Sequence, residues 1–332
     1  MSFQSPKRQQ GVALIFVMLI FVMVTVMASR IITDLHFNTE KTARQLQYQQ
    51  AHHYAMGAEQ FVAMLLEEDF QRDKQSKKPK DHWFEPWAEQ DQPLDTEEGE
   101  ITIMTLDDQG RFNLNMLASH GKEDKPDKDK LEMLIRLLAS QNIDAQVAYR
   151  LQDWVDSNQD PLPGGAEDNT YLLLTPPYRT SDSALASVSE LRLLDVLTPE
   201  EFDKLVPLVS VLPSGDGINI NTATAGVLRS LSERISETDA KGFVDGRSKD
   251  GFADMKEVTN HPLLKNKISK KAESLITLNS SYFSVYVKAQ YRDMTFYQHS
   301  RLARDKEGKV RVISREMGVF PGWVKTLRES VR

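Results

Sequence analysis

From Val12 to Ala28 the chain carries an apolar run broken only by Thr25. As a helix rising about 1.5 Å per residue, this run is about 26 Å long, slightly short of a hydrocarbon core of about 30 Å. Ser29 and the aliphatic stem of Arg30 extend it, because a long cation can snorkel to the interface. Lys7 and Arg8 precede the run, and Asp34 and Glu40 follow it. The positive-inside bias therefore puts the N-terminus in the cytoplasm and the body of the protein outside, on a single span.

The alternative for such a segment is an ordinary secretory signal peptide, cut after Ala28 in Val26-Met27-Ala28. Continuity argues for an uncut helix. No proline occurs between Val12 and Phe70, and Tyr54, Ala55, Ala58, Phe61, Val62 and Leu65 follow at helical spacing on one face. Membrane segment and spine thus read as one helix over residues 12–70, with about 12–29 in the bilayer.

The basic leader, Gly11 and the uncut apolar helix together resemble type IV pilins and type II secretion pseudopilins. That resemblance implies a prepilin peptidase that cuts after Gly11, removing residues 1–11 and methylating the new amine of Val12. One position departs from the pattern. Most pilin subunits carry glutamate at the fifth mature position, where this chain has Phe16. In the family picture that carboxylate pairs with the terminal amine of a neighbouring subunit, so its loss suits a subunit at the end of a polymer.

Beyond residue 70, Gln71 to Glu98 is a polar connection pinned by Trp83, Phe84 and Trp87. Ile101, Ile103 and Thr105 alternate as in a strand, Asp107-Asp108-Gln109-Gly110 reads as a turn, and Phe112, Leu114 and Met116 alternate again. The expectation is a β-hairpin. The period then becomes helical, with stripes at Leu131, Leu134, Ile135 and Leu138 and at Val147, Ala148, Leu151 and Val155. Thr198-Pro199-Glu200-Glu201 is a strong helix start, and Asn221 and Thr222 are expected to cap the next helix. Strand patterns return over 282–291, 294–303 and 309–314. Strands before and after a helical block imply one sheet interrupted by an insertion: a sheet domain of residues 71–117 plus 279–332, and an inserted helical domain of residues 118–278.

Four segments sharpen the resemblance: Gly110-Arg111-Phe112-Asn113-Leu114-Asn115; Asp153-Trp154-Val155-Asp156 with Gly165-Ala166-Glu167-Asp168; Ser187-Val188-Ser189-Glu190-Leu191-Arg192; and Ile218-Asn219-Ile220-Asn221-Thr222-Ala223. Together they resemble the K component of the type II secretion system over nearly the whole chain. The resemblance implies an α+β pseudopilin fold, a long spine helix on an antiparallel sheet, with a large inserted α-helical domain containing a helix-hairpin-helix or SAM-like part. It also implies a non-enzymatic minor pseudopilin at the pseudopilus tip, tethered in the bacterial inner membrane with its body in the periplasm. Its partners would be the minor pseudopilins I and J, the prepilin peptidase and the inner-membrane assembly platform. A minor pilin of a type IV pilus and a stand-alone exported calcium-dependent binding protein remain the alternatives.

Composition limits the chemistry. With no cysteine, disulfides, thiolate metal sites and cysteine catalysis are excluded. A formal charge of −7 argues against a general nucleic-acid binder. The Ile218–Ala223 segment does begin many helix-hairpin-helix DNA-binding modules. The Gly-x-Gly pair whose amides would meet phosphate is missing from the turns at 232–235 and 260–262, so the segment reads as structural. Hydrolase, P-loop and zinc-protease motifs do not occur. His52 and His53 are adjacent on a helix, where their side chains diverge by about 100° and cannot readily share a zinc ion. The acidic loop carries the most chemistry. Asp153, Asp156, Asp160, Glu167 and Asp168 lie close in sequence with Gly164 and Gly165, hard oxygen donors of the kind calcium takes. The spacing is not that of an EF-hand. Members of the resembled family carry calcium in the inserted domain, and the expected ligands are Asp156, Asp160, Glu167 and Asp168.

Overall fold

The computed structural model describes residues 10–89, 92–118, 127–213 and 217–330. It opens with one unbroken helix, α1 (Gln10–Ser76), of 67 residues and therefore about 100 Å. The helix runs six residues past Phe70; what stops it is Lys77, in the left-handed region at φ 55°. The side chains from Val12 to Phe37 stand exposed, and this part is long and apolar enough to cross a membrane. From Ala51 onward one face is buried: Ala51, Ala55, Ala58, Val62 and Leu66 recur at helical spacing. Three of these are alanines, which let the helix axis approach the sheet closely.

After α1 come β1 (Leu94–Thr96), β2 (Gly99–Asp107), β3 (Phe112–Asn113), α2 (Lys128–Ser140), α3 (Gln146–Val155), α4 (Asp168–Tyr171), α5 (Pro199–Leu205), β4 (Val209–Ser210) and β5 (Ile218–Asn219). Next are α6 (Ala225–Ser230), α7 (Glu237–Asp245), α8 (Met255–Thr259), α9 (Lys270–Glu273), β6 (Ile276–Thr277), β7 (Tyr282–Tyr291), β8 (Met294–Arg304), β9 (Val310–Met317) and α10 (Gly322–Ser330). The main sheet is antiparallel, in the order β1-β2-β7-β8-β9. β2 lies against β7 from Gly99↔Tyr291 to Asp107↔Phe283. Two adjacent strands are therefore separated in sequence by the whole stretch from Asp108 to Ser281, which holds α2 to α9 and its own apolar core around Phe112, Leu134, Leu151, Leu191, Leu228 and Phe243. A second core lies between α1 and the sheet, with Val62, Leu66, Trp87, Phe283, Val285 and Val287 at its centre.

The expected hairpin across residues 107–110 does not form. Asp107, Asp108, Gln109 and Gly110 are all buried in a short 3-10 turn, which steers the chain away from the sheet. Phe112–Asn113 pairs in parallel with Val209–Ser210, and Leu114 to Leu117 is 3-10 rather than strand. The reason is chemical. Asp107 accepts the Gln109 N–H at 2.8 Å and Asp108 pairs with Arg111, so the polar side chains that suggested a solvent-exposed turn are consumed inside. The helix start at Thr198 is as the sequence predicts, a reciprocal capping box with Glu201. The later cap is not: Thr224 rather than Asn221 or Thr222 caps α6.

Candidate functional site

Asn219, Asn221 and Thr222 are drawn instead into the joint between the two lobes. Asn219 Nδ2 donates to the Asp81 carbonyl (3.0 Å), to Asp107 Oδ2 (2.9 Å) and to Ser280 Oγ (2.9 Å). Thr222 Oγ1 and Ser280 Oγ donate to the same Asp107 oxygen at 2.5 and 2.7 Å. Burial pushes Asp107 up to about 6, against these donors, which favour its charge. The segment that resembles a DNA-binding hairpin is thus buried. It binds the helical insert to the strands that enter and leave it.

The acidic loop follows α3. Asp153 and Asp156 lie at the helix end and Glu167 just before α4, and all three are buried. Both Glu167 carboxylate oxygens are buried without a hydrogen-bond partner. Burial, then the charges of Asp153, Asp156, Asp182 and Asp168, push Glu167 up to about 8. Asp153 is raised to about 6 by burial, although it accepts the Leu162 N–H at 3.1 Å. Gly164 sits at φ +88°, and a side chain on Gly165 would strike the Asp153 carboxylate, so the two glycines are what lets the loop fold over the acids. A buried carboxylate with two idle oxygens among four like charges fits a hard divalent cation, whose charge would remove the repulsion.

The four expected ligands are not equally placed. Glu167 and Asp156 are both buried, and the Asp156 charge contributes to raising Glu167. Asp168 is already engaged, with Oδ1 accepting the Thr180 N–H and hydroxyl at 3.0 Å and Oδ2 accepting Arg179 Nη1 at 2.6 Å. Asp160 is exposed, its N–H donated to Asn158 Oδ1 at 2.8 Å. Asp153 and Asp182 belong to the cluster instead; Asp182 lies too far along the chain for spacing to connect it. Among the described residues, the one group of three side chains that brings ligand oxygens within 4.8 Å of one another is elsewhere: Asp69, Asp81 and Glu85.

At the other end of the molecule, Gly11 and Val12 occupy the first turn of α1, while Lys7 and Arg8 lie outside the described residues. Phe16 projects from the helix, 61% exposed, with no carboxylate nearby on its own turn. His52 packs edge-on against Phe296 at 4.8 Å, and the His52 and His53 rings stand 5.9 Å apart, a packing pair.

Comparison with known proteins agrees over almost the full length. Residues 110–214 and 218–279 match two family models described as type II secretion system, protein K. The chain is 36% identical to the type II secretion system protein K of Pseudomonas aeruginosa, over 93% of each chain. To the protein of the same name in Klebsiella pneumoniae it is 30% identical, over 96% of this chain and 98% of the other. Among solved structures it resembles a chain of the GspK-GspI-GspJ complex of enterotoxigenic Escherichia coli. The TM-score is 0.73 at 24% identity, covering 84% of this chain and all of that one.

Proposed function

The chain belongs to the type II secretion system protein K family, and from that premise we propose that it is the minor pseudopilin capping the tip of the pseudopilus. In that place it helps to initiate assembly for the export of folded proteins across the outer membrane. The observation that carries the reading is the shape of the spine. One helix has an exposed apolar half with nothing of its own fold to cover it, and continues without a break into a packed sheet. Such a helix needs lipid before assembly and the helices of other subunits afterwards. The long excursion between β2 and β7 adds a lobe that a subunit meant to be stacked upon would not carry.

The work is mechanical. The prepilin peptidase cuts between Gly11 and Val12, and the body stays periplasmic on an inner-membrane span. Phe16 leaves the helix without the acidic partner that an incoming subunit's amine would seek. The minor pseudopilins I and J share the tip, and the inner-membrane platform supplies the push from below. In the acidic loop Glu167 and Asp156 would hold a calcium ion, with Asp160 and Asp168 the further carboxylates at hand, and its charge would offset the repulsion among the acids between α3 and α4. Deleting the gene for this chain should stop type II secretion and leave any type IV pilus intact, and the full chain should co-purify with I and J from detergent. Loss of pili with normal secretion, or no complex with either partner, overturns the reading.

A further inference from the structure

Where α1 ends, Asp69 (4% exposed), Asp81 (0%) and Glu85 (6%) converge, one oxygen of each within 4.8 Å of the others. Two oxygens bound to one calcium ion at about 2.4 Å can be at most about 4.8 Å apart, so the spacing suits a single ion. Asp69 Oδ2 and Asp81 Oδ1 are buried and accept no hydrogen bond. The other Asp81 oxygen takes Arg304 Nη2 at 2.5 Å and the Ser280 N–H at 2.6 Å. Arg304 Nη1 stands 3.7 Å from Asp69 Oδ2, too far to satisfy it.

Burial and the charges of Asp81 and Asp69 push Glu85 up to about 9, against three donors that hold its carboxylate in place. The His82 N–H and the Trp87 indole N–H both donate to Oε2, at 3.1 and 2.6 Å. His82 Nδ1 accepts the Phe84 N–H at 3.2 Å, so its proton sits on Nε2, 3.2 Å from Glu85 Oε1. Three donors aimed at one carboxylate are the support a metal-ligating carboxylate has, fixing its orientation. Against three clustered carboxylates stand one buried guanidinium, Arg304, and the largely exposed Arg72, 3.5 Å from Asp69 Oδ1. A divalent ion would replace the protons that burial otherwise holds on these acids.

We propose that Asp69, Asp81 and Glu85 bind a calcium ion at the junction of the spine helix and the root of the insert, separate from the acidic loop. Asp81 is central to that junction: its N–H donates to the Leu278 carbonyl at 2.9 Å and its own carbonyl accepts Asn219 Nδ2. An ion here ties the end of α1, through Asp81, to Leu278 and Ser280 just before β7 and to Asn219 in the insert, and so sets how the lobe stands on the spine.

The test is a count of bound calcium. The full-length protein in detergent is stripped with chelator and dialysed to saturation, and metal per chain is measured by atomic emission. Glu167→Gln should keep one ion, and adding Glu85→Gln or Asp69→Asn to it should remove that ion. Terbium in place of calcium should glow through the adjacent Trp87 in the Glu167→Gln protein and go dark when Glu85→Gln is added. Should a variant unfold by circular dichroism, the terbium signal of folded Glu167→Gln decides alone. No ion and no luminescence in that protein, or an unchanged count in the double variants, overturns the proposal and leaves the triad neutralised by protons.

Discussion

Glu59→Ala should be among the most damaging single changes on the spine. Glu59 lies on the buried face of α1, 1% exposed, and reaches two strands. Its Oε2 accepts Gln298 Nε2 (3.0 Å) and Ser300 Oγ (2.5 Å) from β8, and Arg315 of β9 grips both oxygens at 2.8 Å. The partners differ in what they lose. The Arg315 side chain is 45% exposed and can rehydrate, so its share is about 0.5–1 kcal/mol. Gln298 and Ser300 are 2% and 0% exposed and cannot, though they keep a hydrogen bond to each other at 2.9 Å. Stranding buried groups costs about 1–3 kcal/mol each. Glu59→Ala should therefore cost about 3 kcal/mol, and Arg315→Lys, which keeps a cation against the buried carboxylate, about 0.5–1 kcal/mol. Urea unfolding of the full chain in detergent, followed by tryptophan fluorescence, measures both as midpoint shifts at constant slope. A loss below about 1 kcal/mol for Glu59→Ala, or equal losses for the two variants, would refute the argument that buried strand contacts dominate.

Three further outcomes are expected. In chelated protein, stability should fall as pH rises from about 5 to about 8. Glu167 and Asp153, raised to about 8 and about 6, keep protons in the folded state that they release on unfolding, so the stability present below the ordinary carboxylate pKa is lost through that window. Calcium should flatten this slope and Glu167→Gln should remove part of it, as melting curves at several pH values will show; a melt indifferent to calcium sinks the acidic-loop site. Asn219→Ala should cost about 3 kcal/mol in urea unfolding, because it breaks the buried bonds to Asp81, Asp107 and Ser280; a loss under about 1 kcal/mol would mean the joint is held by apolar packing. Phe16→Glu should reduce secretion by offering an acidic partner at the tip; normal secretion by that variant would show that the missing carboxylate is merely tolerated.

Much of this protein is written locally. A 17-residue apolar run states its own need for lipid, and unbroken helical spacing carries it through to the sheet. The strand patterns at 282–291 and 294–303 sit within a residue of β7 and β8, because alternation is imposed by a half-buried sheet. The Thr198 capping box needs only four residues in sequence, and it forms. What the sequence could not reveal depends on residues far apart in the chain meeting in space. Asp107 to Gly110 has turn composition, and only the partners Thr222, Asn219 and Ser280 make it a buried joint. Asp182 joins the acidic loop, and Arg304 the triad at Asp69, Asp81 and Glu85, from distant positions. A charge's meaning is set by whether water or another side chain answers it, and burial, which decides that, is a property of the tertiary fold.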